Sequence, residues 1–177
     1  MKVLQLLPIG AVPGELLQSL GPAMAGAFGV PCDILPVSID PLFSLHGERQ
    51  QYHSSEILRR MQGYVRSESW RVLGVTCVDL YIPILTFVFG EAQMGGPCAI
   101  VSAHRLRQEF YGLPADKGLL QERLVKEAVH EVGHTLDLTH CNDYRCAMAP
   151  SHAVEWIDLK ASMLCATCMA RVMQAAR

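Results

Sequence analysis

Two kinds of apolar pattern alternate along the chain, short continuous runs and stretches in which apolar positions recur every three or four residues. The first predicts strands and the second helices. Residues 2–8 (KVLQLLP) form such a run and are expected to be the first strand, and ELLQSLGPAMAGAF, after Pro13, has helical spacing that Gly21 and Pro22 weaken. Residues 32–37 are short, apolar and bounded by prolines, which predicts a second strand. A second helix is expected from Ser54, where SSEILRRMQGYV opens on capping residues and carries Ile57, Leu58 and Met61 on one side. Three strand-like runs follow, WRVLGVTCV, ILTFVFGEA and CAIVSAHRL, set apart by turn-forming stretches such as QMGGP.

Over residues 119–136, Leu120, Leu124, Ala128 and Val132 recur at four-residue intervals among charged neighbours, the signature of an amphipathic helix. Residues 141–150 read as irregular, and from about Asp158 the pattern is helical to the end of the chain. Alternation of strands and helices, giving way to hairpin-like strands, predicts a mixed sheet with helices packed on it. At 177 residues, half of them hydrophobic, one domain with a substantial core is expected.

The net charge of -2 supplies no basic surface for phosphates, so nucleic acid is not an expected partner. The apolar start is interrupted by Pro8, Gly10, Pro13 and Glu15, with only Lys2 as a charged flank, which argues against a secretory leader. No run of some 18 apolar residues suggests a membrane span. A soluble, cytoplasmic protein is therefore expected, and its seven cysteines are better explained by metal ligation and buried thiols than by disulfides.

HEVGHTLDLTH, residues 130–140, concentrates the candidate chemistry. Histidines four apart on a helix share a face, so His130 and His134 can both reach one zinc ion. Glu131 would lie beside a metal-bound water and serve as general base. His140 can be the third ligand if the chain reverses sharply after the helix. Zinc-peptidase motifs place glycine at the reversal because it adopts positive φ freely; here the position is Asp137, among the less penalised substitutes. The other histidines, His46, His53, His104 and His152, are expected on the surface or satisfied within the core.

Cys141, Cys146, Cys165 and Cys168 form two pairs whose spacing suits a closed four-thiolate zinc site. Two disulfides or a redox CxxC are the alternatives, which a reducing compartment and the lack of a preceding thioredoxin-like unit disfavour. Such an ion would pin the segment after His140 to the C-terminal helix. Cys32, Cys77 and Cys98 lie in apolar runs and are expected to be small buried hydrophobes.

HEVGHTLDLTHC, followed by CAM and CATC, resembles the archaemetzincin family of metzincin-type metallopeptidases, and RQQYHSSEIL, DLYIPILTFVFGEA and RQEFYG are also similar to stretches of that family. About two thirds of the chain takes part. The resemblance implies an α/β fold: a single metzincin-like domain over residues 1–177, with a mixed twisted sheet, an antiparallel edge strand, an active-site helix and a C-terminal helix. The sheet and active-site helix would occupy residues 1–136, and the Met-turn, four-cysteine site and C-terminal helix residues 137–177. It implies two zinc ions, one catalytic on His130, His134 and His140 and one structural on the four cysteines, with Met148 as the Met-turn methionine beneath the histidines. Residues 86–92 would form the cleft-edge strand that pairs with extended substrate.

The activity expected is zinc-dependent peptide hydrolysis by a monomer acting on peptide or protein. The alternative is a descendant that keeps the fold and the structural zinc and binds peptide without cutting it; Asp137 favours this and an intact Glu131 opposes it. A zinc-ribbon nucleic-acid module finds support only in the cysteines.

Overall fold

The computed structural model describes residues 1–175. Its main sheet has five strands: β1 (Val3–Ile9), β2 (Cys32–Ile34), β5 (Ser69–Thr76), β7 (Gly90–Ala92) and β8 (Cys98–Ser102), in the order β2-β1-β5-β8-β7. The first four in that order run parallel, and β7 pairs antiparallel with β8 at one edge. Interior strands of a parallel sheet are covered on both faces, which is why β1, β5 and β8 read as continuous apolar runs.

Alternation along those strands assigns the two faces. Leu4, Leu6, Leu73, Val75, Ala99 and Val101 point to the cluster that also holds Leu17, Leu20 and Met24 of α1 (Gly14–Phe28) and Leu124, Ala128 and Val132 of α3 (Lys117–Thr135). Leu7, Ile9, Val72, Cys98 and Ile100 point the other way, onto Ile57, Leu58 and Met61 of α2 (Ser54–Met61). The predicted helical faces are the buried ones. Pro22 is accommodated inside α1, and Gly29, at φ 68, ends that helix by donating its N–H to Ala25 O.

Three expectations need correction. The run over residues 84–92 contributes only Gly90–Ala92 to the sheet; before it the chain turns after Ile82 and makes a single bridge from Val88 to Leu80. Arg49 donates to Leu85 O and Thr86 O, and Gln51 to Thr86 O, so side chains take the backbone acceptors that a strand would have used. The second predicted strand is shorter, Cys32–Ile34. The continuous C-terminal helix is two helices, α4 (Val154–Leu159) and α5 (Ala166–Ala175), with the segment between them bonded to the cysteine loop through Ala161 N–H on Arg145 O.

A small second sheet, β3 (Leu45–His46), β4 (Gln51–His53) and β6 (Leu80–Tyr81), had no counterpart in the sequence reading. Its strands are two or three residues long, too short to show a period. No helix among the described residues is long and apolar enough to cross a membrane.

Helix α3 runs beneath the edge of the sheet, against β8 and β7, and Asp116 caps its start by accepting from Leu119 N–H at 2.9 Å. Besides its apolar stripe it buries Arg123, Lys126, Glu127, His130 and Glu131. Burying charge demands partners. Arg123 binds Asp158 through two N–H groups at 2.8 and 2.7 Å and Leu106 O at 2.9 Å, while Lys126 pairs with Glu122 at 2.7 Å. This second, polar stripe fixes α4 and the segment around it over the active face of the helix.

Candidate metal centres and cleft

The last turn of α3 ends in a Schellman arrangement. Leu138 N–H donates to Gly133 O at 3.2 Å and Asp137 N–H to His134 O at 3.1 Å, with Asp137 in the left-handed region at φ 61. The chain therefore reverses at the position where the motif asks for glycine. The Asp137 carboxylate lies over Gly95 in the β7–β8 turn, where a Cβ on the glycine would come within 2.6 Å of Oδ1, and Gly95 N–H donates to His134 O at 3.1 Å. Asp137 makes no hydrogen bond to His130, His134 or His140 among the described residues; its charge instead supports Arg71, which caps the helix end by donating to Thr135 O and Oγ1.

The reversal brings His140 back to His130 and His134, and one ring nitrogen of each lies within 4.8 Å of the others. His130 Nδ1 faces Ala147 O at 2.8 Å and His134 Nδ1 faces Leu138 O at 2.7 Å. A carbonyl only accepts, so each Nδ1 carries the proton and each Nε2 offers a lone pair. Those two Nε2 atoms are 3.0 Å apart, close to the roughly 3.3 Å that two nitrogens span on a tetrahedral zinc. Burial, with the Lys160 cation adding to it, holds His130 well below the usual histidine pKa, and burial lowers His134 and His140 too. Neutral, inward-facing lone pairs are what a divalent cation requires.

Glu131 is buried beside this trio. Loss of solvent pushes its pKa well above the usual range, with Glu127 and Glu91 adding to the rise and Lys160 opposing it. Gly90 of the edge strand lies directly on it: a Cβ at Gly90 would come within 2.7 Å of Glu131 Cγ. Gly133, inside the HExxH turn, is matched in the same way to Met148, whose Sδ would be 2.3 Å from an added Cβ. Met148 is wholly buried below the helix.

The four cysteines converge in a second cluster, with their sulfurs within 4.8 Å of one another. Cys141 Sγ and Cys165 Sγ are 3.8 Å apart, too far for a disulfide and equal to the roughly 3.8 Å between two thiolates on a tetrahedral zinc. Cys146 Sγ accepts N–H groups from Met148 and Cys165 at 3.4 and 3.3 Å. Cys165 does not share the helix with Cys168 as expected; it precedes α5, accepts from Met169 N–H at its carbonyl, and presents its sulfur to the helix start. The Cys168 backbone N–H is the main reason its thiol is brought down to about 7, whereas burial raises Cys146 and Cys168. Cys98 is buried and Cys32 and Cys77 half-buried; burial pushes Cys32 and Cys98 up to about 11, the behaviour of inert core thiols.

The two clusters share a wall, since Cys141 N–H donates to Met148 O at 2.9 Å and His140 precedes Cys141. A cleft of about 370 Å³ opens beside the histidines, lined on one side by residues 85–90 and on the other by Pro150, Ser151 and His152. His152 is exposed, as expected of it, yet it borders the cleft. Glu127 and Lys160, which the sequence reading passed over, form an ion pair at 2.8 Å beside the centre. A signal existed: Glu127 stands three and four residues before His130 and Glu131, hence on their face of the helix.

A mixed sheet with an antiparallel edge strand, over a helix that carries HExxH and a returning third histidine, is a zinc-peptidase architecture. Comparison with known proteins gives the same class. The sequence profile of Peptidase family M54 matches residues 43–174. Archaemetzincin from Methanocaldococcus jannaschii is 41% identical over 165 residues, covering 93% of this chain and 89% of that protein. Archaemetzincin from Pyrococcus furiosus is 37% identical over 174 residues, covering 94% and 90%. A solved zinc-dependent peptidase from Methanocorpusculum labreanum superposes with a TM-score of 0.86 at 30% identity, over 96% of this chain and 99% of that one. Archaemetzincin from Archaeoglobus fulgidus, solved with malonate, gives 0.81 at 35% identity over 97% and 99%. The chain belongs to the archaemetzincins, peptidase family M54.

Proposed function

We propose that the chain hydrolyses peptide bonds in the cleft beside His130, His134 and His140, with Glu131 as general base. The observation that carries this reading is the convergence of three bare ring nitrogens next to a buried glutamate, with the Nδ1 protons of His130 and His134 committed to Ala147 O and Leu138 O. Zinc held there would polarise the scissile carbonyl and acidify a water molecule. Glu131 would take that proton and pass it to the leaving amine. Edge strand β7 and the residues before it line the cleft where an extended peptide would lie.

Cys141, Cys146, Cys165 and Cys168 would hold a second, structural zinc with no position open to substrate, and Met148 would floor the histidine site. Zinc per chain, measured by elemental mass spectrometry, tests the reading. Two ions in the native protein, one after His130→Ala with His134→Ala, and peptide cleavage lost in Glu131→Ala are expected. One ion that survives loss of the histidines, with no cleavage on added zinc, would leave only a peptide-binding descendant.

A further inference from the structure

Residues 85–87 line one wall of the cleft but belong to no strand, so a sheet ladder does not set their position. Side chains do. Arg49 donates to Leu85 O at 2.8 Å and to Thr86 O at 3.1 Å, and its Nε–H holds Gln51 Oε1 at 2.9 Å. The buried Gln51 amide, oriented in this way, donates to Thr86 O at 2.9 Å and to Asp79 Oδ2 at 3.0 Å. Thr86 O thereby accepts twice, which uses both of its lone pairs. Arg105 grips Asp79 at 2.7 and 2.8 Å, and its guanidinium lies 4.3 Å from the centre of the Phe87 ring. Each of the three residues of the wall is thus reached by one connected set of polar groups.

The same stretch, residues 49–55, also holds the other end of the cleft edge. Glu91 of β7 accepts from Ser55 Oγ at 2.8 Å and from Ser54 Oγ, both at the start of α2. Between the two grips lies Gly90, which rests on Glu131. Arg49 is itself braced: its guanidinium stacks 3.9 Å from the centre of the buried Tyr81 ring, and the turn that presents it holds Gln50 at φ 54. None of these side chains belongs to the histidine or cysteine cluster.

We propose that Arg49 is a positioning residue for substrate, the anchor of a clamp over residues 49–55 that keeps the wall at 85–91 ordered for an extended peptide before one arrives; the assignment rests on the peptidase reading above. A wall without its clamp has to be ordered as the peptide binds, and that cost falls on affinity. The chemical step is spared, because His130, Glu131 and His134 are carried by α3. Since the Arg49 clamp engages backbone carbonyls, the exposed side chain of Leu85 stays free to meet the peptide.

The test compares native, Arg49→Ala and Arg49→Lys proteins with Arg60→Ala, which removes a guanidinium stacked on Phe43 outside the clamp. Cleavage of extended peptides gives kcat and KM, and fluorescence anisotropy of labelled extended peptides of random sequence on the Glu131→Gln background gives Kd without cutting. Arg49→Ala should raise KM and Kd about tenfold and keep kcat within about twofold of native, with zinc content unchanged. Arg49→Lys should fall between, because an ammonium can reach a carbonyl but lacks the fork that also orients Gln51. Arg60→Ala should match native in both constants. A change that merely destabilised the protein would lower kcat through loss of folded molecules and leave KM and Kd alone, so that outcome overturns the clamp, as does cleavage with all three constants untouched; in either case the peptidase reading stands. Peptide binding weakened by Arg49→Ala, in a protein that cuts nothing, supports the clamp and overturns the peptidase reading. Neither cleavage nor binding of any extended peptide overturns both.

Discussion

The histidine and cysteine clusters differ in how much of the fold makes them. The histidine centre is built by a helix: α3 supplies His130 and His134 on one face, and its backbone-bonded end returns His140. The cysteine centre is built by mostly irregular chain laid on the core, with Cys146 and Cys168 buried in it and Cys141 and Cys165 packed against it. Its sulfurs come from an irregular segment and a ten-residue helix, held to one another by a few N–H groups on Cys146 and by backbone bonds such as Ala147 N–H on Met163 O. A preformed site needs no ion to exist, whereas a loop-made site depends on one. The histidine centre is therefore expected to persist without an ion and the cysteine centre to depend on one.

Breaking each centre separately should expose that division most strongly. Cys165→Ser with Cys168→Ser should release an ion whose ligation is worth on the order of 10 kcal/mol, and the segment after residue 137 should unfold with a thermal transition lowered by tens of degrees. His130→Ala with His134→Ala should lose one zinc per chain and shift the transition far less. Calorimetry beside zinc analysis decides; equal destabilisation by the two double variants would mean that the helix does not preform its site. Next in size is Glu131→Ala. It should keep both ions and lower kcat/KM by about 10²–10⁴-fold, the usual contribution of a general base. Loss of zinc along with activity would instead make Glu131 a residue that holds the metal.

Much of the fold was legible in the sequence. The apolar runs of β1, β5 and β8 and the stripe Leu120, Leu124, Ala128 and Val132 located the sheet core and α3, because both obey a simple period. That the histidines and the four cysteines would cluster was legible for a different reason, since metal chemistry restricts both residue type and spacing. What the sequence hid is tertiary. Residues 84–89 are apolar and strand-like, yet Arg49 and Gln51, some 35 residues earlier in the chain, take the backbone carbonyls at 85 and 86. Nothing in the sequence marks Glu127 and Lys160 as a buried ion pair, because their burial comes from the packing of distant segments.

Gly133 ties the helix to the floor of its site and offers a gentler probe. A Cβ there would lie 2.3 Å from Met148 Sδ, so Gly133→Ala must displace the methionine or the helix. Overpacking of this kind costs about 1–3 kcal/mol. The expected result is a lowered melting temperature with weaker zinc retention at the histidines, read by competition with a chromogenic chelator, while the cysteine zinc stays. Gly133→Ala with Met148→Leu should recover part of the loss, because leucine is shorter and branched. No recovery would place the clash elsewhere.

The smallest effect is expected at Asp137, and its sign is informative. The residue holds φ 61, a conformation that costs a non-glycine side chain roughly 1 kcal/mol, so Asp137→Gly removes strain at the reversal that carries His140 back. It also removes the carboxylate whose charge supports Arg71 at the end of α3, a contribution that solvent reduces because Asp137 is exposed. Strain is local and unscreened, whereas the charge interaction is partly screened, so the first term should win and the variant should melt a few degrees higher. Asp137→Asn separates the two, since asparagine tolerates the left-handed region and lacks the charge. If the strain argument holds, Asp137→Asn falls at or slightly below the native protein and Asp137→Gly above it, with zinc content and peptide cleavage unchanged in both. A glycine variant that melts lower than the native protein would mean that aspartate is held at this turn by its contacts with Gly95 and Arg71, and that the exchange of glycine for aspartate strengthens the histidine centre instead of weakening it.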